Sequence, residues 1–494
     1  MHRNPSRCLA APLVATIVVA GLAAAAPGQG CPPIFVAQPQ IDAGSNVNTI
    51  VAADFDRDGI MDLAITSSGD NRVLMLRGLG GGAFGPPQGW PVGTSPTGLL
   101  AIDLNKDGRV DLVAACLNSG SLSILAGTEG QPGTITFAAP TTMTVPASPF
   151  SIASGDLNDD GWPDLVVGHF GLSVVSVTLS VPGGGGGAFG TPTTYPSGQT
   201  PAAVAVADFN GDGKPDVLAS NLSGNTISFH ANNGVGGLLP RVSLACGTSP
   251  RSVHAADINS DGRMDAVTVN SGSGDASVLL GYGDGTFEPQ LREPLGGAPQ
   301  SGTLIDINND GRPDVVAPVG QSSSLAVLVC NGNGSYGAPS NFGSVPSAQS
   351  CAAADLDGDG LADAAVLRQP GQISVLLNRT NVIRFSTTPR SEIIAAGLPI
   401  TLTAQVTTTS VATIRWRMSG VDLPGATGPI LTIAAASAAN DGIYEAVASG
   451  PCGSVVSPPA YIAVQRCAAD INASGNVSVQ DLFDFLAAYF AGCP

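Results

Sequence analysis

Seven times along the chain, a nine-residue phrase of the form D-x-D/N-x-D-G-x-x-D places oxygen-bearing side chains at positions 1, 3, 5 and 9 and glycine at position 6. The copies supply Asp54, Asp56, Asp58 and Asp62; Asp103, Asn105, Asp107 and Asp111; Asp156, Asn158, Asp160 and Asp164; Asp208, Asn210, Asp212 and Asp216; Asp257, Asn259, Asp261 and Asp265; Asp306, Asn308, Asp310 and Asp314; and Asp355, Asp357, Asp359 and Asp363. Oxygen side chains at alternate positions of a tight loop converge on one point, and calcium takes six to eight such ligands at about 2.3–2.6 Å. Glycine at position 6 permits the bend, and the backbone carbonyl of position 7 supplies a further ligand. An acidic surface turn also uses Asp and Gly, but turn chemistry does not demand aspartate at position 9 in every copy. Ca2+ is therefore the cofactor these loops imply, at the roughly 10⁻⁴–10⁻³ M affinity of extracellular modules. Without metal each loop would press three or four carboxylates together, so calcium is expected to stabilise the fold.

The elements that must position these loops follow from the period. The phrases begin at Asp54, Asp103, Asp156, Asp208, Asp257, Asp306 and Asp355, with 49 to 53 residues between starts, which is about four short strands plus turns, or one blade of a β-propeller. A small or apolar run such as Val51-Ala52-Ala53 precedes each phrase, as suits an inner strand near a crowded axis. Continuous apolar runs such as Leu112-Val113-Ala114 and Leu165-Val166-Val167 follow it, as suits strands covered on both faces. A third strand, as in Ser121 to Leu125, then leads through a Gly-rich turn to an aromatic and proline phrase such as Phe84-Gly85-Pro86 or Tyr336-Gly337-Ala338-Pro339. The fourth repeat carries Leu238-Leu239-Pro240 where that aromatic is expected. After Leu377 the aromatic phrase is missing, while Ile34-Phe35-Val36-Ala37-Gln38-Pro39 stands alone before the first loop. One blade is thus split between the ends of the array, which closes the ring and removes an exposed edge. Six whole repeats and one shared blade predict seven blades.

The Phe-Gly and Gly-Ala-Pro phrases together with the D-x-D/N-x-D-G-x-x-D loops resemble the FG-GAP (VCBS) repeat of integrin α-subunit head propellers and of secreted bacterial proteins, over residues 33–380. The resemblance implies that the loops lie on one rim in a structural role, and that partners bind the opposite face.

The fold class expected is all-β: a signal peptide (1–30), a seven-bladed β-propeller (31–380), an Ig-like β-sandwich (381–465) and a short EF-hand-like helical tail (466–494). In the sandwich, alternating strands at Thr401–Ala404, Ile414–Arg417, Leu431–Ile433 and Asp441–Tyr444 make Trp416 the buried strand C tryptophan and Tyr444 the corner tyrosine. Ala404 and Ala446 stand at the usual disulfide positions. In the tail, Asp470, Asn472, Ser474 and Asp481 fall at positions 1, 3, 5 and 12 of a loop that resembles half a dockerin, before an apolar helix from Val479 to Phe490.

Composition fits export and extracellular work. Gly 64, Pro 38 and only 12% charged residues suit short strands and many turns. Arg3 and Arg7 precede an apolar run from Leu9 to Ala26, the pattern of a secretory signal, so no membrane insertion is expected after its removal. Of nine cysteines, Cys8 leaves with the signal; Cys467 pairs with Cys493 or with Cys452, and the partners of Cys31, Cys116, Cys246, Cys330 and Cys351 stay open. The net charge of −18 opposes nucleic acid as a partner. No nucleophile elbow, H-E-x-x-H or phosphate loop is present, and His169, His230 and His254 fall at unrelated phases, which reads as scattered strand-end histidines. The function expected is a secreted or cell-surface calcium-binding adhesion and recognition module without catalysis, taking an extracellular glycan or protein ligand. The alternatives are a structural component of an extracellular assembly whose partner grips the tail, and a polysaccharide-active enzyme.

Overall fold

The computed structural model describes residues 33–131, 133–181, 187–343, 345–379, 383–407, 412–450 and 453–465, with Val479, Gln480, Phe483, Asp484 and Leu486. The signal segment, Cys31, Cys452, Cys467, Cys493 and the tail residues Asp470, Asn472, Ser474 and Asp481 lie outside the described residues. The five described residues beyond 478 are helical.

Up to residue 465 the described chain is built from β-strands with one short 3-10 turn at Ala438–Asn440, and its repeats fold as antiparallel sheets with the organisation of propeller blades. In the first, Val47–Ala53, Asp62–Ser67, Arg72–Leu76 and Gln88–Pro91 lie side by side in chain order. The fourth repeats this with Pro201–Ala207, Asp216–Asn221, Thr226–His230 and Val242–Ala245. Burial follows the sequence pattern. The second strand of each sheet, from Asp62–Ser67 to Asp363–Arg368, is buried at all six positions, as its continuous apolar run requires. Outer strands such as Thr141–Thr144 and Val242–Ala245 are mostly exposed.

The core lies between sheets. Phe55, Met75, Leu112 and Leu125 join the first sheet to the second; similar clusters join each later pair, and Ile65 and Leu74 meet Leu367 and Val375 between the seventh sheet and the first. Each fully buried Val, Leu or Ile contributes roughly 1.5–3 kcal/mol, so every sheet depends on both neighbours. The aromatic phrases pin the outer strands: Phe137, Phe189, Phe287 and Tyr336 each bridge back to the second residue beyond the third strand. Leu238 makes the equivalent bridge to Asn232 and is buried, so leucine does the aromatic's packing in the fourth repeat.

The array closes as the split phrase predicts. Phe35–Ala37 pairs antiparallel with Gln372–Asn378, in the register Phe35↔Asn378 and Ala37↔Leu376, and Ile41–Asp42 continues the pairing. Phe35 also packs edge-on against Phe342 at 5.2 Å. Deleting residues 33–42 uncovers the edge of Gln372–Asn378, a template for pairing with another chain. The truncated protein is expected to melt at least about 5 °C lower and to self-associate with rising concentration, read by light scattering on a sizing column.

Beyond residue 383 a separate core forms around Trp416 and Tyr444, both fully buried, with Ile400, Leu402 and Ile462. Glu392–Ala395 pairs parallel with Ala460–Gln465, and the sheet runs on through Gly442–Gly450 and Thr413–Met418 to Val421–Thr427. Ile400–Thr403 and Ile430–Ile433 form a second pair. Trp416 Nε1 donates to Gly428 O at 3.0 Å, and the Tyr444 hydroxyl donates to Asn440 O at 3.0 Å. Ala404 and Ala446 are fully buried in this core without a disulfide between them.

Candidate metal centre

Each D-x-D/N-x-D-G-x-x-D phrase is the connection between the first and second strands of its sheet, and position 9 opens the second strand in all seven. The loops are numbered 1 to 7 in chain order. Two backbone positions shape each loop. Glycine at position 6 has φ between +80° and +84° throughout, the left-handed conformation that favours this residue. Position 4 is left-handed as well, at +57° to +83°, although only Gly211 and Gly358 are glycine there; Arg57, Lys106, Asp159, Ser260 and Asn309 adopt it too.

The acidic side chains fold inward. The position 1 carboxylate accepts the N–H of the position 6 glycine at 2.7–2.8 Å in every loop, as from Gly59 to Asp54 and from Gly213 to Asp208. Position 5 accepts the N–H of position 7, as from Lys214 to Asp212 at 2.9 Å. In loop 1, Asp54, Asp56 and Asp58 bring one oxygen each within 4.8 Å of one another, and in loop 7 Asp355, Asp357 and Asp363 do the same. Ligands of one calcium stand at most about 5 Å apart, so these hard-oxygen sets fit a single ion. In loops 2, 3, 5 and 6 the position 3 asparagine donates its amide to the position 5 carboxylate at 2.9–3.0 Å. Asn210 of loop 4 is turned instead toward Asp216, at 3.4 Å.

Position 9 has a second role that the spacing did not reveal. Asp62 is fully buried, with one oxygen accepting the N–H of Phe55 at 2.9 Å and the other that of Gly78 at 2.7 Å. The other six repeat this bridge at 2.7–3.1 Å, from the residue after position 1 to the second residue beyond the third strand, or in repeat 7 to that strand's last residue, Asn378. Burial pushes these carboxyls up against the opposing pull of the two N–H groups: Asp62 and Asp216 to about 6, Asp314 and Asp363 to about 7, and Asp111, Asp164 and Asp265 in the same direction. Position 2, always Phe, Leu or Ile, is buried among the side chains between sheets and anchors the loop. That apolar residue was visible in all seven phrases as the anchor's signal.

The three described histidines are buried or half-buried in strands. His169 is buried between Ala147 O at 3.1 Å and Ser176 Oγ at 2.7 Å, and His230 lies 3.1 Å from Leu239 O. His254 corrects the strand-end expectation, because it sits mid-strand and half-buried in Pro250–Ala256. The three belong to three different sheets. Cys116, Cys246, Cys330 and Cys351 are free thiols, and burial pushes Cys246 and Cys351 up to about 12, which keeps them unreactive.

The sequence profile of the FG-GAP-like repeat matches residues 54–114, 103–167, 176–219, 208–268 and 306–366, together more than half of the chain. No curated protein matches it. Among solved structures, a functionally unknown protein from Desulfotomaculum acetoxidans aligns over 79% of this chain and 100% of its own, at 14% identity and a TM-score of 0.42. The periplasmic gluconolactonase of Pseudomonas aeruginosa aligns over 60% of this chain and 86% of its own, at 16% identity and a TM-score of 0.43. A chimeric titin Z1Z2 aligns over 17% of this chain and 94% of its own, at 26% identity and a TM-score of 0.16.

Proposed function

The chain belongs to the FG-GAP-like repeat family, and on that premise we propose that residues 31–380 are a seven-bladed β-propeller whose loops hold calcium, within a secreted recognition module that binds an extracellular glycan or protein without catalysis. The observation that carries this reading is the sevenfold loop geometry, in which the position 1 carboxylate folds onto the position 6 N–H in every loop, with three carboxylates converging in loops 1 and 7. Positions 1, 3, 5 and 9 would hold the ion. Calcium would neutralise the gathered carboxylates and brace the connection between the first two strands. The buried tryptophan and the tyrosine tied to Asn440 support an Ig-like domain for residues 381–465.

The non-catalytic reading is supported by where the acids and bases stand. The loop carboxylates are engaged by backbone N–H groups, and the three described histidines stand in three separate sheets. Incubating the calcium-loaded protein with acidic and neutral polysaccharides tests it, with retention and release of new chain ends scored together. Calcium-dependent retention without new ends is expected. Release of new ends overturns the non-catalytic reading, and absence of both signals moves the ligand to the protein class.

A further inference from the structure

Loops 1 and 7 differ from the other five in two respects that occur together. Position 3 is aspartate in these two, Asp56 and Asp357, and asparagine in loops 2 to 6. The same two loops also receive an arginine from the end of their own third strand. Arg77 places Nε 2.6 Å from Asp56 Oδ2 and Nη2 2.5 Å from Asp58 Oδ2. Arg379 places Nη1 2.5 Å from Asp357 Oδ2 and 2.9 Å from Asp359 Oδ2. The residues that correspond to Arg77 in repeats 2 to 6 are Ala126, Leu179, Ala231, Leu280 and Val329, none of which carries charge. Arg263 and Arg312 approach loops 5 and 6 from position 7, and their ion pairs are with position 5 alone.

The extra carboxylates are the reason a cation is needed. The side chains of Asp56 and Asp357 are only 1% and 5% exposed, and a buried carboxylate without a counter-charge is costly. The guanidinium supplies that charge from within the chain, and its planar fork spans two carboxylates at once. The two loops belong to the sheets that meet at the closure, where Ile65 and Leu74 pack on Leu367 and Val375.

We propose that Arg77 and Arg379 are built-in counter-cations that stand in for calcium at the two closure loops, so that these loops fill last and the ring stays closed when calcium is scarce. The inference rests on the calcium reading of the loops. A calcium in loop 1 would share Asp56 and Asp58 with the guanidinium, and two cations on the same carboxylates repel.

Calcium titration of the full chain by calorimetry, beside R77Q/R379Q and R77K/R379K, tests this, together with metal-free melting of all three. The wild type is expected to show a class of two sites at least about tenfold weaker than the rest. R77Q/R379Q is expected to bring those two into the main class while its metal-free melting temperature falls. R77K/R379K keeps the weak class. Seven equivalent sites in the wild type, or a weak class unchanged in R77Q/R379Q, overturns the proposal. Absence of calcium binding in all three proteins overturns the calcium reading instead, and metal-free melting then decides the counter-cation role by itself: an unchanged R77Q/R379Q melt rejects it.

Discussion

Stripping calcium from the full chain at pH 7.5 is expected to lower the melting temperature of the repeat array by roughly 10 °C, an effect that vanishes as the pH approaches 4. At tenfold excess over Kd, each occupied loop adds about 1.4 kcal/mol, so five to seven loops supply roughly 7–10 kcal/mol. Spread over the unfolding entropy of residues 33–379, about 2.1 cal/mol/K per residue, this is roughly 10–14 °C. The pH dependence comes from the position 9 aspartates. Their folded values, about 6 for Asp62 and Asp216 and about 7 for Asp314 and Asp363, lie above the ordinary 3.8. The metal-free folded state therefore holds protons that the unfolded chain releases. The stability this confers is fully present below the ordinary value and is lost as the pH rises through about 6 to 7. Bound calcium would reverse the sign, because a divalent ion beside these carboxyls favours their ionised form. Calorimetric melts of metal-free and calcium-loaded protein from pH 4 to 7.5 should coincide at the acid end and diverge toward neutrality. Coincident curves at pH 7.5 would reject calcium as a stabilising ligand.

Much of this architecture was legible in the chain because the repeat writes the same information seven times. The apolar run after each phrase marked the doubly covered second strand, and the unpaired Ile34 to Pro39 segment announced the closure seen between Phe35–Ala37 and Gln372–Asn378. Glycine at position 6 declared its left-handed backbone. Position 4 did not, since arginine, lysine, aspartate, serine and asparagine occupy it beside glycine and share no type that marks a left-handed backbone. The arginines over loops 1 and 7 were hidden for a related reason. Arg77 lies 15 residues beyond Asp62, and only the pairing of the second and third strands brings it back over the loop. Position 9 was read as a ligand because its type is a ligand's type. That it also ties two strand ends together depends on contacts 7 and 16 residues away.

That dual role separates position 9 from the rest of the loop and yields the second large effect. Asp216 accepts the N–H groups of Phe209 at 3.1 Å and Asn232 at 2.8 Å, all within the protein interior. Asn232 in turn donates its side-chain amide to Leu157 O of the preceding repeat at 2.8 Å and to Pro215 O at 3.0 Å, so the bridge reaches across to the neighbouring sheet. Asp216→Ala leaves two buried donors unpaired, each costing about 1–3 kcal/mol. The variant is expected to lose roughly 2–5 kcal/mol in the metal-free protein, where no ligand effect enters, measured by chemical denaturation followed through the repeat array. Asp212→Ala is the control. Its carboxylate is an exposed member of the same loop that holds only the N–H of Lys214, so its metal-free stability should change by less than about 1 kcal/mol while calcium stoichiometry falls by one. If position 9 served only as a ligand, the two variants would be alike without metal and both would lose one calcium. A metal-free loss confined to Asp216→Ala makes position 9 the tie that holds each loop on its sheet before any ion arrives, with positions 1, 3 and 5 left to meet the ion.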